Sequence, residues 1–135
     1  MKVVVSGAKG NLGSVIAKEI SKADDMQLGG LYDPHHAGEV VAGMEIETSI
    51  ENIDADVIVE CTHPDVVMGN LKRWHVQGKS VVVGTSGFTE ERIADVKSFW
   101  TNTETSCLIV PNFSIGAVLM MRFAELASPY FDSAE

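Results

Sequence analysis

With 135 residues, 45% of them hydrophobic and 21% charged, the chain holds enough apolar material for one core and too much for a disordered segment. Its 19 acidic and 10 basic residues leave a formal net charge of −9, which argues against the broad basic surface that nucleic acid or an anionic membrane requires. Met1 leads straight into Lys2-Val3-Val4-Val5 without a signal-peptide pattern, and no apolar run approaches the roughly 20 residues of a spanning helix. The expected compartment is the cytoplasm.

In chain order, Lys2–Ser6 is an apolar run of strand length. Leu12, Val15, Ile16 and Ile20 then recur at helical spacing and predict a first helix. Met26–Tyr32 predicts a second strand, stopped by Asp33-Pro34. From His35 to Asp56 the sequence is acidic and weakly periodic, with a short edge strand expected at Met44–Thr48. Val57–Glu60 is the next strand. Pro64-Asp65 suit the first turn of a helix whose Val67, Leu71 and Trp74 share a face and which Gly78 ends. After the strand Ser80–Val83, Thr89 is the expected N-cap of a helix carrying Ile93, Val96 and Trp100, with Glu90 and Glu91 in its first turn. Ser106–Val110 is the last strand, ended by Pro111-Asn112. Strands alternating with helices across short loops predict an α/β, doubly wound, mostly parallel sheet with helices on both faces.

Cys61 and Cys107 stand beside Val/Ile runs, without Cys/His spacing around them, and are expected to be core thiols. His35 and His36 are adjacent and would point apart in an extended loop, so they are expected at the surface or at a cofactor's edge; no metal site is expected.

The most informative segment is Gly7-Ala8-Lys9-Gly10-Asn11-Leu12-Gly13, a G-x-x-G-x-x-G variant of the dinucleotide fingerprint. It follows the first strand and opens the first helix, where a tight turn and a close backbone approach to phosphate are needed. A helix N-terminus supplies local positive potential there whatever the net charge. Asp33, 20 residues after Gly13, ends the second strand, where a Rossmann-type domain places the carboxylate for the adenosine ribose. The alternative is that Asp33-Pro34 is only a turn. A carboxylate there favours NADH over NADPH, while Lys9, His35 and His36 soften the exclusion; NADH is the expected cofactor, with NADPH admitted.

In parallel sheets, ligands sit beyond the carboxyl ends of the strands. Three further loops fall there: Thr62-His63-Pro64, Gly84-Thr85-Ser86-Gly87-Phe88 and Pro111-Asn112-Phe113. Together with the glycine turn, the segments Thr-His-Pro-Asp-Val-Val-Met-Gly-Asn-Leu, Val-Gly-Thr-Ser-Gly-Phe and Pro-Asn-Phe-Ser-Ile-Gly-Ala-Val make the chain resemble bacterial dihydrodipicolinate reductases, most closely the actinobacterial branch. The resemblance runs in order from Val3 to Glu135.

The resemblance implies that Gly7 to Leu12 hold the cofactor pyrophosphate and Asp33 the adenosine ribose. It implies that Thr62 lines the cofactor cleft, that Gly84, Thr85 and Ser86 face the nicotinamide ribose and carboxamide, and that Val110, Pro111, Asn112 and Phe113 close over the nicotinamide. Ser86 stands where the family usually has a second threonine, and Glu60-Cys61 where it has Asp-Phe. It further implies a hinge near Asn112–Ser114, giving a dinucleotide-binding domain over 1–113 and, over 114–135, the hinge and leading helix (Ile115–Phe131) of a substrate domain. The family's Glu-x-x-His-His-x-x-x-Lys and Lys-x-Asp-Ala-Pro-Ser-Gly-Thr segments do not occur in the 135 residues. No catalytic residue is therefore assigned, and a cyclic dicarboxylate substrate is expected to bind only with that second domain. The family is homo-oligomeric, and the apolar helix at Ile115–Phe131 is expected to self-associate or to dock elsewhere. A stand-alone nucleotide-sensing module is the alternative function. The Thr-His-Pro and Gly-Thr-Ser-Gly-Phe loops argue against another two-domain dehydrogenase.

Overall fold

A computed structural model of the chain describes residues 1–49, 51, 53–101 and 104–131. Parts of two expectations, within the His35–Asp56 stretch and at the end of the 114–135 segment, lie outside the described residues. Strand β1 (Lys2–Ser6) leads into helix α1 (Asn11–Ile20) and strand β2 (Gln27–Tyr32). A small excursion, β3 (Val40–Val41) and β4 (Met44–Glu45), precedes β5 (Val57–Glu60) and α2 (Val67–Val76). Then come β6 (Ser80–Val83), α3 (Glu90–Phe99), β7 (Cys107–Ile109), α4 (Ile115–Ala127) and a 3₁₀ turn at Ser128–Tyr130.

Five strands form one sheet in the order β2-β1-β5-β6-β7, and every neighbouring pair is parallel. Strand alternation sends Val3 and Val5 to one face, where they pack with Ala17, Ile20 and Leu31. Val4 and Ile58 go to the other face, against Val67, Leu71 and Trp74 of α2 and Val96 of α3. The expected doubly wound α/β architecture is therefore present, with helices on both faces. The chain runs outward from β1 to β2, then crosses back to β5 on the far side of β1. Their carboxyl ends part at that reversal, which is where such sheets open a crevice.

The helices are set by specific local features. The buried residues of α1 are Gly13, Ala17 and Ile20, whereas Val15 is exposed. Its sheet-facing side is thus rotated from the Leu12/Val15/Ile16/Ile20 stripe, because small residues let the helix sit closer to β1 than large ones would. At the end of α2, the Gly78 N–H donates to the His75 carbonyl (2.9 Å) and the Lys79 N–H to the Trp74 carbonyl (3.0 Å). Gly78 holds the left-handed φ of 65° that this closing pattern requires. Thr89 caps α3 as expected, its side chain accepting from the Arg92 N–H at 3.3 Å.

Three expectations shift. Pro64-Asp65 precede α2 in a separate turn, with the Val66 and Val67 N–H groups both donating to the His63 carbonyl, and the helix begins at Val67. The edge strand expected at Met44–Thr48 shrinks to β4, paired antiparallel with β3, while Glu47 alone bridges to Tyr32 in parallel. Ile46 between them turns into the core, which interrupts the strand. The helix expected over Ile115–Phe131 ends at Ala127, since Pro129 has no N–H with which to continue it. No residue of α4 is buried among the described residues.

Burial separates the core helix from α4 energetically. Trp74→Ala should lower the stability read from urea unfolding by about 3–5 kcal/mol, whereas Phe123→Ala should change it by less than about 0.5 kcal/mol.

Candidate functional site

Where β1 ends, the chain turns so sharply that three stretches of backbone meet. Gly7 has a φ of 79°, and a Cβ there would lie 2.5 Å from the Cys61 carbonyl oxygen. A Cβ on Gly13 would run into the Gly7 carbonyl oxygen. The first and last glycines of the turn thus have no room for a side chain, whereas Gly10 has only the Gly7 carbonyl within 3.2 Å. The N–H groups of Gly7 and Ala8 both donate to the Tyr32 carbonyl (2.8 and 3.2 Å), and that of Gly10 to the Gly7 carbonyl (3.1 Å). These amides are spent on the turn itself. The donors left for a ligand are those of Asn11, Leu12 and Gly13, which open α1 and have no intrahelical acceptor. Gly10, the N-cap, has no side chain with which to satisfy them.

A cleft of about 760 Å³ lies in front of this turn. Of the predicted site residues, Gly7, Lys9, Gly10, Asp33 and Thr62 line it. Ala8 is fully buried beneath the turn. Leu12, Gly84 and Phe113 meet at a neighbouring point: a Cβ on Gly84 would stand 2.7 Å from Phe113 Cε2, 3.1 Å from Leu12 Cδ2 and 3.4 Å from Cys61 Sγ. Thr85 is buried, and its hydroxyl lies 3.3 Å from the Glu60 carbonyl and 3.1 Å from the Thr62 carbonyl, tying the β6 loop to the end of β5. Ser86, Pro111 and Asn112 are exposed and Val110 is half-buried. Asn112 Oδ1 accepts from the Ser114 N–H at 2.7 Å, and Ser114 caps α4. All these loops follow the carboxyl ends of parallel strands, at one edge of the sheet.

The Asp33 carboxylate is held from several sides. Oδ1 accepts from the His35 N–H at 3.1 Å and lies 3.0 Å from His36 Nδ1; Oδ2 accepts from the Lys9 N–H at 3.4 Å. Burial alone would raise its pKa, but the His36 side chain and then the two amides outweigh it and hold it below the ordinary 3.8. The Lys9 ammonium is paired with Glu39.

The sequence gives little warning of the cleft's other wall. Val66, Gly69, Asn70 and Arg73 line it from α2 and its entrance. They recur at three- and four-residue spacing, the helical signal that reveals an apolar face, but without an apolar pattern to mark them. Cys61, expected in the core, is half-buried and lines the cleft, because it lies just past the last residue of β5. Burial, and secondarily the Glu60 carboxylate, pushes its thiol up to about 12, so it stays protonated and is no nucleophile at neutral pH. Cys107 is likewise half-buried, packs against the core and is pushed by burial to about 11. His35 and His36 do stand at the cleft's edge. Among the described residues there is no cluster of ligands that could hold a metal ion.

Sequence reading noted Glu60 only as the end of a strand and as a departure from the family's Asp-Phe, and gave it no role. It is fully buried on the face shared with α2, where an isolated carboxylate would be costly. Its Oε2 accepts from Trp74 Nε1 at 2.8 Å, and its Oε1 accepts from Asn70 Nδ2 at 3.3 Å and from the Thr62 hydroxyl. The carboxylate fastens α2 to the end of β5 and commits the Thr62 proton inward, while the Thr62 oxygen itself accepts from Asn70 Nδ2 at 3.4 Å.

Glu60→Leu would leave the buried Trp74 Nε1 without its acceptor, at about 1–3 kcal/mol, while Asn70 Nδ2 keeps the Thr62 hydroxyl; urea unfolding should show a loss of at least about 1 kcal/mol, and Glu60→Gln a smaller one. Asp33 carries a pH prediction. Because its folded pKa is depressed, its contribution is present above the unfolded pKa near 3.8 and is lost as pH falls through the lower folded value. Thermal midpoints should therefore fall on acidification below about pH 4, and Asp33→Asn should flatten that part of the profile.

The family profile described as "Dihydrodipicolinate reductase, N-terminus" matches residues 1–113. The 4-hydroxy-tetrahydrodipicolinate reductase of Mycobacterium ulcerans is 44% identical over 136 aligned residues, covering 100% of this chain and 52% of that protein. The enzyme of the same name from Streptomyces avermitilis is 43% identical, with 100% and 51% covered. Among solved structures, the dipicolinate-bound dihydrodipicolinate reductase of Paenisporosarcina sp. TG-14 superposes with a TM-score of 0.76 at 26% identity, over 97% of this chain and 54% of that one. An aspartate semialdehyde dehydrogenase from Candida albicans, at 15% identity and a TM-score of 0.59 over 80% of this chain and 41% of that one, shares the fold alone. The chain spans about half the length of the curated relatives it matches. By its sequence, its sheet and its glycine turn, the chain belongs to the dihydrodipicolinate reductase N-terminal domain family.

Proposed function

We propose that this chain is the NAD(P)H-binding portion of a 4-hydroxy-tetrahydrodipicolinate reductase of lysine and diaminopimelate biosynthesis, and that it prefers NADH. The observation that carries the reading is the α1 start: a helix N-terminus with a bare glycine cap, aimed at the crevice between β1 and β5 and bordered by a carboxylate at the end of β2. The residues fit a dinucleotide. Gly10 and the first amides of α1 would take the pyrophosphate, where no Cβ intervenes. Asp33 Oδ2, less tightly engaged than Oδ1, would accept from the adenosine ribose hydroxyls. Thr62 would offer an acceptor, and Leu12, Gly84 and Phe113 would form the apolar seat on the nicotinamide side. When bound, the nicotinamide supplies the hydride for reduction of a cyclic dicarboxylate, with loss of water.

We assign the dicarboxylate site and its proton donor to a second domain, of which α4 would be the leading helix after a hinge at residues 112–114. The support is physical: Ser114 caps a helix none of whose residues is buried, with Leu119, Met120, Phe123 and Leu126 all exposed. That apolar surface favours association with such a domain or with another copy. The free thiols Cys61 and Cys107 suit a cytoplasmic setting.

Calorimetric titration tests the cofactor assignment. The chain should bind NADH, and Asp33→Ala should weaken NADH more than NADPH, because the variant loses a ribose acceptor and also a charge that repels the 2′-phosphate. Equal losses for both cofactors would reject the role given to Asp33.

A further inference from the structure

In a chain of net charge −9, most cations are already engaged. Lys2 pairs with Asp54, Lys9 with Glu39, Lys22 with Glu19 and Arg122 with Glu125. Arg92 donates to the carbonyls of Pro64 and Gly87, Lys79 to that of Ala55, and Lys72 lies over the Phe99 ring. Among the described residues, Lys18, Lys97 and Arg73 remain without such a partner, and of these only Arg73 lines the cleft. It stands on α2 one turn beyond Gly69, where a Cβ would meet nothing within 4 Å. The helix wall beside the guanidinium is therefore bare.

Arg73 and Asp33 both line this cleft. The Tyr32 phenol feels both charges together with that of Glu60, and its ring packs edge-on against Trp74, the residue after Arg73. The groups around Asp33 are otherwise ill-suited to a second anion. The Lys9 ammonium is taken by Glu39, and His36 is turned to the Asp33 carboxylate. A dianionic phosphate brought next to Asp33 needs a cation with no other claim on it, and a guanidinium is the side chain that meets phosphate oxygens with paired donors.

We propose that Arg73 is the determinant that admits a 2′-phosphorylated adenosine, so that the cleft takes NADPH as well as NADH. This rests on the cofactor reading given above. Arg73 reaches across the cleft from α2 and supplies the counter-charge that the β2 loop cannot. The two cofactors are thus sorted by two walls: Asp33 on the β2 side favours the free ribose hydroxyls, and Arg73 on the α2 side offsets its repulsion of phosphate.

The test is a set of titrations of the 135-residue chain and of its Arg73→Gln and Arg73→Lys variants with NADH, NADPH, 5′-AMP and 2′,5′-ADP. The last two isolate the adenosine end. Loss of a charge-assisted phosphate contact corresponds to roughly a 10- to 100-fold weakening. Arg73→Gln should weaken NADPH and 2′,5′-ADP by about that factor while NADH and 5′-AMP change less than about twofold, and Arg73→Lys should recover part of the loss. The difference between parent and Arg73→Gln should shrink as salt is raised. Equal weakening of phosphorylated and unphosphorylated ligands, or no change in either, would overturn the proposal. So would a parent chain that binds NADH but neither NADPH nor 2′,5′-ADP. A parent that binds neither dinucleotide would overturn the cofactor reading itself, and this proposal with it.

Discussion

Everything in this fold that points toward a ligand depends on main chain packed against main chain at Gly7. Its position has room for a hydrogen and no more, wedged between the Cys61 carbonyl on one side and the approach of Gly13 on the other. This contact sets the separation of β1 from β5 at their carboxyl ends and the depth at which α1 begins. A methyl group at Gly13 would push α1 off the turn, and one at Gly7 would push the end of β1 away from the Cys61 carbonyl.

The opposite wall depends on polar rather than steric chemistry. α2 has two working faces. Val67, Leu71 and Trp74 are buried in the core, while Gly69 and Arg73, with Val66 just before the helix, border the cleft. Glu60 joins the two by answering Trp74 on the core side and Asn70 and Thr62 toward the cleft. A buried carboxylate met only by neutral donors gives no large gain in stability, but it orients its donors strictly. The Thr62 hydroxyl therefore has a defined sense at the cleft surface.

Much of this was legible in the sequence. The sheet's strands were readable because parallel strands covered on both faces are nearly continuous apolar runs, as in Lys2–Ser6 and Ser80–Val83. Gly7, Gly13 and Asp33 were readable because the turn and the strand end restrict residue type. The face of α1 was misjudged because periodicity weighs large apolar residues, whereas close packing here selects Gly13 and Ala17. For Cys61 the local signal pointed to the core, and for Glu60 and Arg73 it pointed to no role. Their significance comes from pairing across elements, of β5 with α2 and of α2 with the β2 loop, which no linear pattern encodes.

The Asp33 carboxylate has a kinetic and entropic side. One oxygen is pinned by the His35 amide and His36, and Pro34 follows directly in the chain. Its χ angles are therefore fixed before any ligand arrives, and no loop must fold to present it. On the cofactor reading proposed above, binding at this end would freeze little of the protein, and the ordering cost would fall on the ligand's own torsions. Discrimination between ligands that differ by one phosphate would then report charge and hydrogen bonding almost undiluted by rearrangement of the site.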